Sequence, residues 1–282
     1  MIVLPPLTEE LIDRAFAEDV GDGDHTTLST IPASANGAAQ LLVKDTGILA
    51  GVELALAIIE RYDPQLIPKV FLEDGAQVKP SDVVMIIHGP VRSILVVERL
   101  LLNFMQRMSG IATLTNRFVS AIEGTGCRVL DTRKTTPGLR EIEKWAVRIG
   151  GGTNHRMGLY DMMMIKDNHV DFAGGIPQAI AAARTYQKDR DLKLPIEIET
   201  RNISEVQQVL ETGGIQRIML DNFTPKNMRE AVSLINDTYE TEASGGITLT
   251  TARAYAETGV NFISVGALTH SFACLDLSLK AL

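Results

Sequence analysis

The second half of the chain alternates short apolar runs with helical patterns, and this alternation limits its fold more than any other feature. Five apolar runs of strand length follow Gly126, at 127–130, 161–165, 195–198, 217–220 and 262–265, and a weaker sixth lies at 239–243. Helical patterns lie between the later runs. Strand–helix alternation at this spacing predicts parallel βα units, and therefore an α/β barrel.

The first part of the chain has a different pattern. Apolar runs at 39–44, 69–72 and 83–88 are separated by turn sequences and by a helical stretch at 51–62. This pattern predicts an α+β region. A long helical stretch follows at 95–122, with a break expected near Ser109 and Gly110.

Polar residues or glycines follow nearly every predicted strand of the second half. In chain order they are Asp131, Arg133 and Lys134, then Lys166, Glu199, Asp221, Ser244 with Gly245 and Gly246, and Gly266. The carboxyl ends of barrel strands converge on one mouth, where active sites of this fold lie. We therefore expect these scattered residues to meet in one pocket.

Charge indicates what the pocket binds. Segment 131–169 holds seven Lys/Arg and five Asp/Glu, whereas the rest of the chain holds 20 and 30, and the net charge is −8. A cationic focus within an acidic protein favours a small anionic ligand. A nucleic-acid partner is not expected, because it would require a basic face over the whole domain.

The residue types suggest two kinds of ligand. Arg133 and Arg156 can clamp carboxylates in bidentate fashion, and His155 can add a donor. Lys134 and Lys166 are point charges suited to phosphate oxygens.

The remaining residues fit a phosphorylated sugar. Glu199 and Asp221 can accept from sugar hydroxyls or hold Mg²⁺, which prefers oxygen ligands. The backbone N–H groups of Ser244, Gly245 and Gly266 can bind phosphate near helix N-termini. The predicted ligand set is a carboxylate-rich molecule plus a phosphorylated sugar with a metal.

Most of these residues also have a purely structural interpretation. The alternatives are pairing of Arg133 and Lys134 with Glu141 and Glu143, a hydrogen-bonded turn role for His155, pairing of Glu199 with Arg201, and helix capping by Asp221 and Asn222.

The sequence predicts a cytoplasmic protein without a membrane segment. Cys127 and Cys274 lie far apart and form no Cys-x-x-Cys motif, which fits a reducing compartment. Pro5 and Pro6 interrupt the first apolar run, and the apolar stretch at 47–59 is too short to span a bilayer.

Several motifs resemble those of quinolinate phosphoribosyltransferases, also called nicotinate-nucleotide pyrophosphorylases (carboxylating). They are Asp-Thr-Arg-Lys-Thr-Thr-Pro-Gly at 131–138, Gly-Gly-Gly-Thr-Asn-His-Arg at 150–156 and Met-Ile-Lys-Asp-Asn-His at 164–169. The resemblance extends to segments 18–27, 109–113, 220–223, 244–247 and 264–266, so that it covers essentially the whole chain.

The resemblance implies an N-terminal α/β domain (1–115), joined by a C-terminal helix (269–282), and an open α/β barrel with fewer than eight strands (116–268). It implies a homodimer, or an assembly of dimers, in which one subunit completes the active site of its neighbour. The implied reaction joins quinolinate to 5-phosphoribosyl-1-pyrophosphate with Mg²⁺, releasing pyrophosphate and CO₂ and giving nicotinate mononucleotide for NAD biosynthesis.

The resemblance also assigns roles by position. Arg133, His155 and Arg156 would hold the quinolinate carboxylates, with Arg99 reaching in from the partner subunit. Lys134 and Lys166 would contact phosphoribosyl pyrophosphate, and Glu199 and Asp221 the ribose hydroxyls and Mg²⁺. Ser244, Gly245 and Gly266 would bind the 5′-phosphate.

Two other functions are considered beside this one. The first is an aldolase-like barrel in which Lys134 or Lys166 forms a Schiff base. The second is a non-catalytic relative that binds another anion, for example in metal transport.

Overall fold

The computed structural model describes residues 4–282, and this part of the chain forms two compact units. The first unit contains residues up to 116 together with 135–151 and 268–282, and the second contains 117–134 and 152–267. The sequence prediction placed 135–151 in the barrel domain. In the structure, the contacts of this segment group it with the first unit, where Thr8 donates to Glu141 at 2.7 Å.

The first unit is built on a four-stranded antiparallel sheet in the order β12-β1-β5-β3. Its strands and helices are α1 (Pro6–Val20), α2 (His25–Thr30), β1 (Asn36–Val43), β2 (Gly47–Ile48), α3 (Val52–Tyr62), β3 (Ile67–Val70), β4 (Gln77–Val78), β5 (Val83–Pro90), most of α4 (Val91–Ala121), α5 (Arg140–Ile149) and β12 (Leu277–Ala281). Apolar residues of β1, β5, α3 and α4 form its core. The predicted α+β character is confirmed.

The C-terminal segment is a strand, so the predicted helix over 269–282 is wrong. Only a short helix, α11 (Ala267–His270), occurs there, and β12 then pairs antiparallel with β1. Leu277 and Leu279 are buried while the residues between and after them are more exposed. This two-residue period fits a sheet with one buried face and does not fit a helix.

The long helix α4 runs unbroken through Ser109 and Gly110, contrary to the expected break. A Cβ atom at Gly110 would lie 2.2 Å from the carbonyl oxygen of Ala273. The glycine is therefore explained by the close passage of the C-terminal segment. The cost of glycine within a helix is about 1 kcal/mol, which packing readily offsets.

The second unit contains a six-stranded parallel sheet in the order β6-β11-β10-β9-β8-β7. Its elements are β6 (Arg128–Leu130), β7 (Met163–Ile165), α6 (Asp167–Ala173), α7 (Ile176–Asp189), β8 (Ile196–Thr200), α8 (Ile203–Thr212), β9 (Arg217–Asp221), α9 (Pro225–Ile235), β10 (Glu240–Ser244), α10 (Leu249–Ala256) and β11 (Phe262–Ser264). All six predicted strands are present.

The edge strands β6 and β7 each have one strand partner among the described residues, so the sheet stays open. This confirms the predicted α/β class with fewer than eight strands. Because every strand of the sheet is parallel, all of their carboxyl ends lie along one edge. Nowhere in residues 4–282 does a helix have the length and apolar character needed to cross a membrane.

Candidate active site

The carboxyl ends of β7, β8 and β9 bring Lys166, Glu199 and Asp221 together. Lys166 follows β7 directly, and its Nζ lies 3.7 Å from Oε2 of Glu199 near the end of β8. Burial raises the pKa of Glu199, Lys166 opposes this shift, and the negative charges of Asp221 and Asp167 add to it. Glu199 does not pair with Arg201, because Arg201 binds Asp171 and Glu205.

Lys166 is oriented by the start of helix α6. Its backbone N–H donates to Nδ1 of His169 at 2.9 Å, which ties the lysine to the first turn of the helix. The Lys166 side chain is half exposed, so its ammonium group is accessible beside Glu199.

Asp221 is held by Asn222, a residue that was not predicted to have a role in the pocket. Asn222 has a left-handed backbone (φ 55°), and its Nδ2 donates to Oδ2 of Asp221 at 2.6 Å. Its own N–H donates to the carbonyl of Ser244 at 2.9 Å. Thr224 caps the following helix, so the capping alternative for Asp221 and Asn222 is excluded. The position of an asparagine directly after a strand could have indicated this turn, because asparagine tolerates a left-handed backbone.

The glycine turn after β10 packs directly against Asn222. Gly245 has φ +100°, and a Cβ atom there would lie 2.2 Å from Oδ1 of Asn222. Ser244 and Asp221 are neighbours in the β10–β9 register. The residues proposed for phosphate and those proposed for ribose therefore share one edge of the sheet, and Gly266 follows the neighbouring strand β11.

Arg133 and Arg156 form a cationic pair. Burial lowers the pKa of Arg156, and the positive charge of Arg133 lowers it further, so the two guanidinium groups repel each other. The buried Nε of Arg133 has no hydrogen-bond partner among the described residues. Two adjacent cations with an unused donor need an anion nearby, because leaving a buried donor unpaired costs about 1–3 kcal/mol.

The alternative partners of Arg133 are engaged elsewhere. Glu143 is fully buried and accepts from Arg107 and from the backbone N–H of Thr136. Glu141 accepts from Thr8. Lys134 is exposed, and its backbone N–H donates to Oγ1 of Thr132 at 3.0 Å.

Asp131 attaches the segment that carries His155 and Arg156 to β6. It is fully buried, and its carboxylate accepts the N–H of His155 at 2.8 Å and the side-chain amide of Asn154. Thr153 adds a backbone hydrogen bond to Val129 at 2.8 Å. The buried Asp131 carboxylate thus attaches the segment with His155 and Arg156 to the end of β6.

His155 lies inside the unit between two glutamates. Its Nε2 is 3.0 Å from Oε2 of Glu197 and 3.3 Å from Oε2 of Glu242, and its Nδ1 accepts the N–H of Arg156 at 2.7 Å. Burial lowers the pKa of His155, but the two neighbouring carboxylates raise it by more, so that the net shift is upward. Burial and the charge of Glu242 raise the pKa of Glu197. Neither glutamate was predicted from the sequence to belong to the site.

The two glutamates gave a signal that could have been found. Glu197 and Glu242 lie inside strands β8 and β10, and both are fully buried. A charged residue within a barrel strand is rare unless it has a partner. Arg217 partly compensates the buried negative charge, because its Nη1 lies 3.3 Å from Oε2 of Glu242.

Arg99 lies in the first unit, on α4, where its side chain is exposed. The other predicted site residues, from Arg133 to Gly266, all belong to the second unit.

Comparison with known proteins gives one consistent result. Residues 24–109 match the family model for the quinolinate phosphoribosyl transferase N-terminal domain, and residues 111–280 match the model for its C-terminal domain. A nicotinate-nucleotide pyrophosphorylase [carboxylating] of Arabidopsis thaliana, described as chloroplastic, is 48% identical over 96% of this chain and 81% of its own length. A probable enzyme of the same name from Synechocystis is 41% identical over 99% of this chain and 95% of its own.

Solved structures agree with the sequence matches. The crystal structure of NadC from Streptococcus pyogenes superimposes with a TM-score of 0.94 at 35% identity, covering 100% of this chain and 99% of that one. The nicotinate-nucleotide pyrophosphorylase of Francisella tularensis gives a TM-score of 0.93 at 36% identity, with 100% and 98% covered.

Proposed function

This chain belongs to the quinolinate phosphoribosyltransferase family, and we propose from that premise that it transfers the phosphoribosyl group of 5-phosphoribosyl-1-pyrophosphate to quinolinate. The products are nicotinate mononucleotide, pyrophosphate and CO₂. The relatives that carry this activity in their names match nearly the whole chain. The alternatives of a Schiff-base aldolase and a non-catalytic anion binder have no comparable support.

The pair of Arg133 and Arg156 is the observation that carries the substrate assignment. Quinolinate bears two adjacent carboxylates, and two neighbouring guanidinium groups with an unused buried Nε offer complementary charge and donors. A substrate with one carboxylate would neutralise only part of this charge. We therefore assign the dicarboxylate to the side of the pocket formed by β6 and segment 153–156.

We assign phosphoribosyl pyrophosphate to the neighbouring strand ends. Lys134 and Lys166 supply positive charge for its phosphates, and the turns at Ser244, Gly245 and Gly266 supply backbone N–H groups for the 5′-phosphate. The left-handed backbone of Gly245 supports this assignment, because a side chain there would collide with Asn222.

Glu199 and Asp221 fit the requirements of Mg²⁺ bound together with substrate. Both offer carboxylate oxygens, and the charge of Asp221 contributes to the raised pKa of Glu199, a repulsion that a cation would relieve. Mg²⁺ commonly uses one or two carboxylates plus substrate phosphates. When bound, the ion would neutralise charge on the pyrophosphate.

The chemistry follows from these positions. The bond between ribose C1 and the pyrophosphate oxygen breaks with its electron pair on pyrophosphate, whose charge Lys166 and Lys134 offset. Glu199 and Asp221 stabilise the positive charge that develops on the ribose. The pyridine nitrogen lone pair then forms the new bond to C1.

Decarboxylation follows from the product of that step. The quaternary ring nitrogen stabilises an electron pair left at C2 when the 2-carboxylate departs as CO₂, and C2 then takes up a proton. The arginine pair contributes by holding the ring in line with C1, a positioning effect that can supply several kcal/mol.

We further propose a homodimer in which Arg99 of one subunit completes the pocket of the other. The exposed position of Arg99 on α4 supports this role. A mixture of Arg99→Ala and Arg133→Ala subunits tests it. Random pairing of two inactive variants should restore about a quarter of wild-type activity, because each mixed dimer has one intact site. If Arg99 serves its own subunit, the mixture stays inactive.

We propose the cytoplasm as the compartment. The two cysteines, Cys127 and Cys274, are both free thiols, which fits reducing surroundings. The test is fractionation of the source cells: recovery of the protein within an organelle contradicts the proposal.

The function is tested by incubating the purified protein with quinolinate, phosphoribosyl pyrophosphate and Mg²⁺. We expect stoichiometric release of pyrophosphate, CO₂ and nicotinate mononucleotide. Nicotinate in place of quinolinate is the control, and equal turnover with nicotinate would contradict the dicarboxylate assignment. Borohydride treatment with a carbonyl substrate should trap no lysine adduct.

A further inference from the structure

The carboxylate of Asp161 closes a turn directly after Arg156, within an irregular segment (154–162) that leads into β7. Its Oδ2 accepts the backbone N–H of Met157 at 2.7 Å, and its Oδ1 accepts the backbone N–H of Gly158 at 2.9 Å. Gly158 is buried, and a buried N–H group needs a partner. The carboxylate therefore fixes the course of the chain where it leaves Arg156.

The far end of the Arg156 side chain is held at strand β7. Its Nη1 donates to the carbonyl of Met162 at 3.3 Å, and its Nη2 lies 3.6 Å from Sδ of Met164. A bidentate contact with a substrate carboxylate depends on both the position and the plane of the guanidinium group. The turn fixes the backbone from which this side chain extends, so it bears directly on substrate binding.

The charge of Asp161 also acts on Arg156. Burial and the charge of Arg133 lower the pKa of Arg156, and the charges of Glu197 and Asp161 oppose that shift. The Asp161 carboxylate therefore lies close enough to the guanidinium group to offset part of the repulsion between the two arginines. This places Asp161 beside the group that we assign to quinolinate.

We propose that Asp161 is a positioning residue of the quinolinate site, which fixes the turn after Arg156 and thereby the direction in which Arg156 presents its guanidinium group. Asp161 acts through Arg156, because its two oxygens already accept backbone N–H groups and a carboxylate repels a dianionic substrate. The inference rests on the proposed role of Arg156 in binding quinolinate.

Charge and geometry predict opposite effects of Asp161→Asn. Loss of a negative charge would strengthen the attraction of the pocket for a dianion, whereas loss of the turn would weaken binding. Asparagine keeps one acceptor oxygen but presents an NH₂ group to the second backbone N–H, and two donors cannot bond. We expect the turn to dominate, because Asp161 has the smallest of the charge effects on the pKa of Arg156.

Asp161→Asn should therefore raise the KM for quinolinate roughly three- to tenfold, the range of one hydrogen bond. The KM for phosphoribosyl pyrophosphate should stay unchanged. Asp161→Ala removes both acceptors and should raise the KM for quinolinate further. A lower or unchanged KM for quinolinate in Asp161→Asn would overturn the proposal.

Asp74 provides the matched control. Its carboxylate also accepts two consecutive backbone N–H groups, those of Val52 at 2.8 Å and Glu53 at 3.3 Å, but it does so at the start of α3 in the first unit. Asp74→Asn should lower Tm and leave the KM for quinolinate unchanged. An equal rise in this KM for Asp74→Asn and Asp161→Asn would show that general loss of stability is responsible, and would overturn the inference.

A double-mutant cycle with Arg156→Ala shows whether Asp161 acts through Arg156. In the Arg156→Ala background, Asp161→Asn should cause no further loss of kcat/KM for quinolinate. Additive losses would show that Asp161 serves another group, and would overturn the inference alone. If Arg156→Ala by itself leaves kcat/KM for quinolinate unchanged, the assignment of Arg156 fails, and the inference fails with it.

Hydrogen exchange of the wild-type protein tests the turn without any substitution. The amide hydrogens of Met157 and Gly158 should exchange more slowly than those of Leu159 and Tyr160, whose side chains are exposed at the tip of the turn. Exchange at Met157 and Gly158 as fast as at the tip would show that the carboxylate does not close the turn, and would overturn the proposal.

Discussion

Nζ of Lys166 lies 3.7 Å from Oε2 of Glu199, and the two side chains come from the ends of adjacent parallel strands. The lysine partly compensates a carboxylate whose pKa is nevertheless raised, mainly by burial. Folding therefore disfavours the charged form of the Glu199 carboxylate. Such unfavourable electrostatics are typical of functional sites.

Glu199→Gln should make the protein more stable at neutral pH while abolishing transfer. Because the pKa of Glu199 in the folded state is above its ordinary value, the carboxylate destabilises the fold once the pH exceeds that value. Below the ordinary pKa both states are protonated and the effect disappears. We expect the variant's Tm to be higher by on the order of 1–3 °C at pH 7.5 and unchanged near pH 4. Equal Tm values at both pH values would contradict this account.

Arg133→Ala should lower kcat/KM for quinolinate roughly 10- to 100-fold, the loss expected for a charge-assisted hydrogen bond. Binding of phosphoribosyl pyrophosphate should change little. Arg133→Lys should recover only part of the loss, since lysine lacks the bidentate fork.

Arg128→Ala is the control for Arg133, because Arg128 begins β6, the strand that precedes Arg133, and stacks on Phe262 at 4.4 Å. It lies at the opposite end of the strand from the pocket, so we expect a small loss of stability and normal kinetics. Near-normal turnover in Arg133→Ala would disprove the clamp assignment.

Gly245→Ala should raise the KM for phosphoribosyl pyrophosphate at least tenfold, because the new methyl group would displace Asn222 and with it the hydrogen bond to Asp221. Gly124→Ala is the matched control. Gly124 also has a left-handed backbone, but a Cβ atom there would meet nothing within 4 Å. Both variants should lose roughly 1 kcal/mol of stability from backbone strain, and only Gly245→Ala should lose substrate binding. The same kinetics in both variants would show that strain, and not the contact with Asn222, is responsible.

Asn222→Ala should lower kcat/KM for phosphoribosyl pyrophosphate roughly tenfold by releasing the Asp221 carboxylate. Asn236 offers a control with the same left-handed backbone (φ 46°) at the end of α9. Asn236→Ala should reduce stability without changing kinetics. Steady-state rates over a range of phosphoribosyl pyrophosphate concentrations check both, and unchanged values for Asn222→Ala would remove it from the site.

The sequence predicted the barrel well because its signals are local. Each strand of the second unit is an apolar run followed by a polar residue or glycine, and the parallel arrangement then forces Lys166, Glu199 and Asp221 onto one edge. The weak run at 239–243 was also identified, and it forms β10 with a shift of one residue. The family motifs gave the same assignment from residue identities.

The errors came where a distant contact decides the structure. Segment 277–281 forms β12 because the open edge of β1 accepts it, and a short alternating run does not reveal that edge. Gly110 suggested a helix break, whereas it accommodates the carbonyl of Ala273, 163 positions away.

The sequence by itself determined the class of fold, the end of the sheet where the site lies and the charge of its ligands, because these follow from periodicity and residue type. Only the tertiary structure decided which groups meet. It surrounded His155 with Glu197, Glu242 and the amide of Arg156, and it set Asn222 against Asp221 and Gly245. Those contacts join strands and loops that lie far apart in the chain, so no local sequence pattern specifies them.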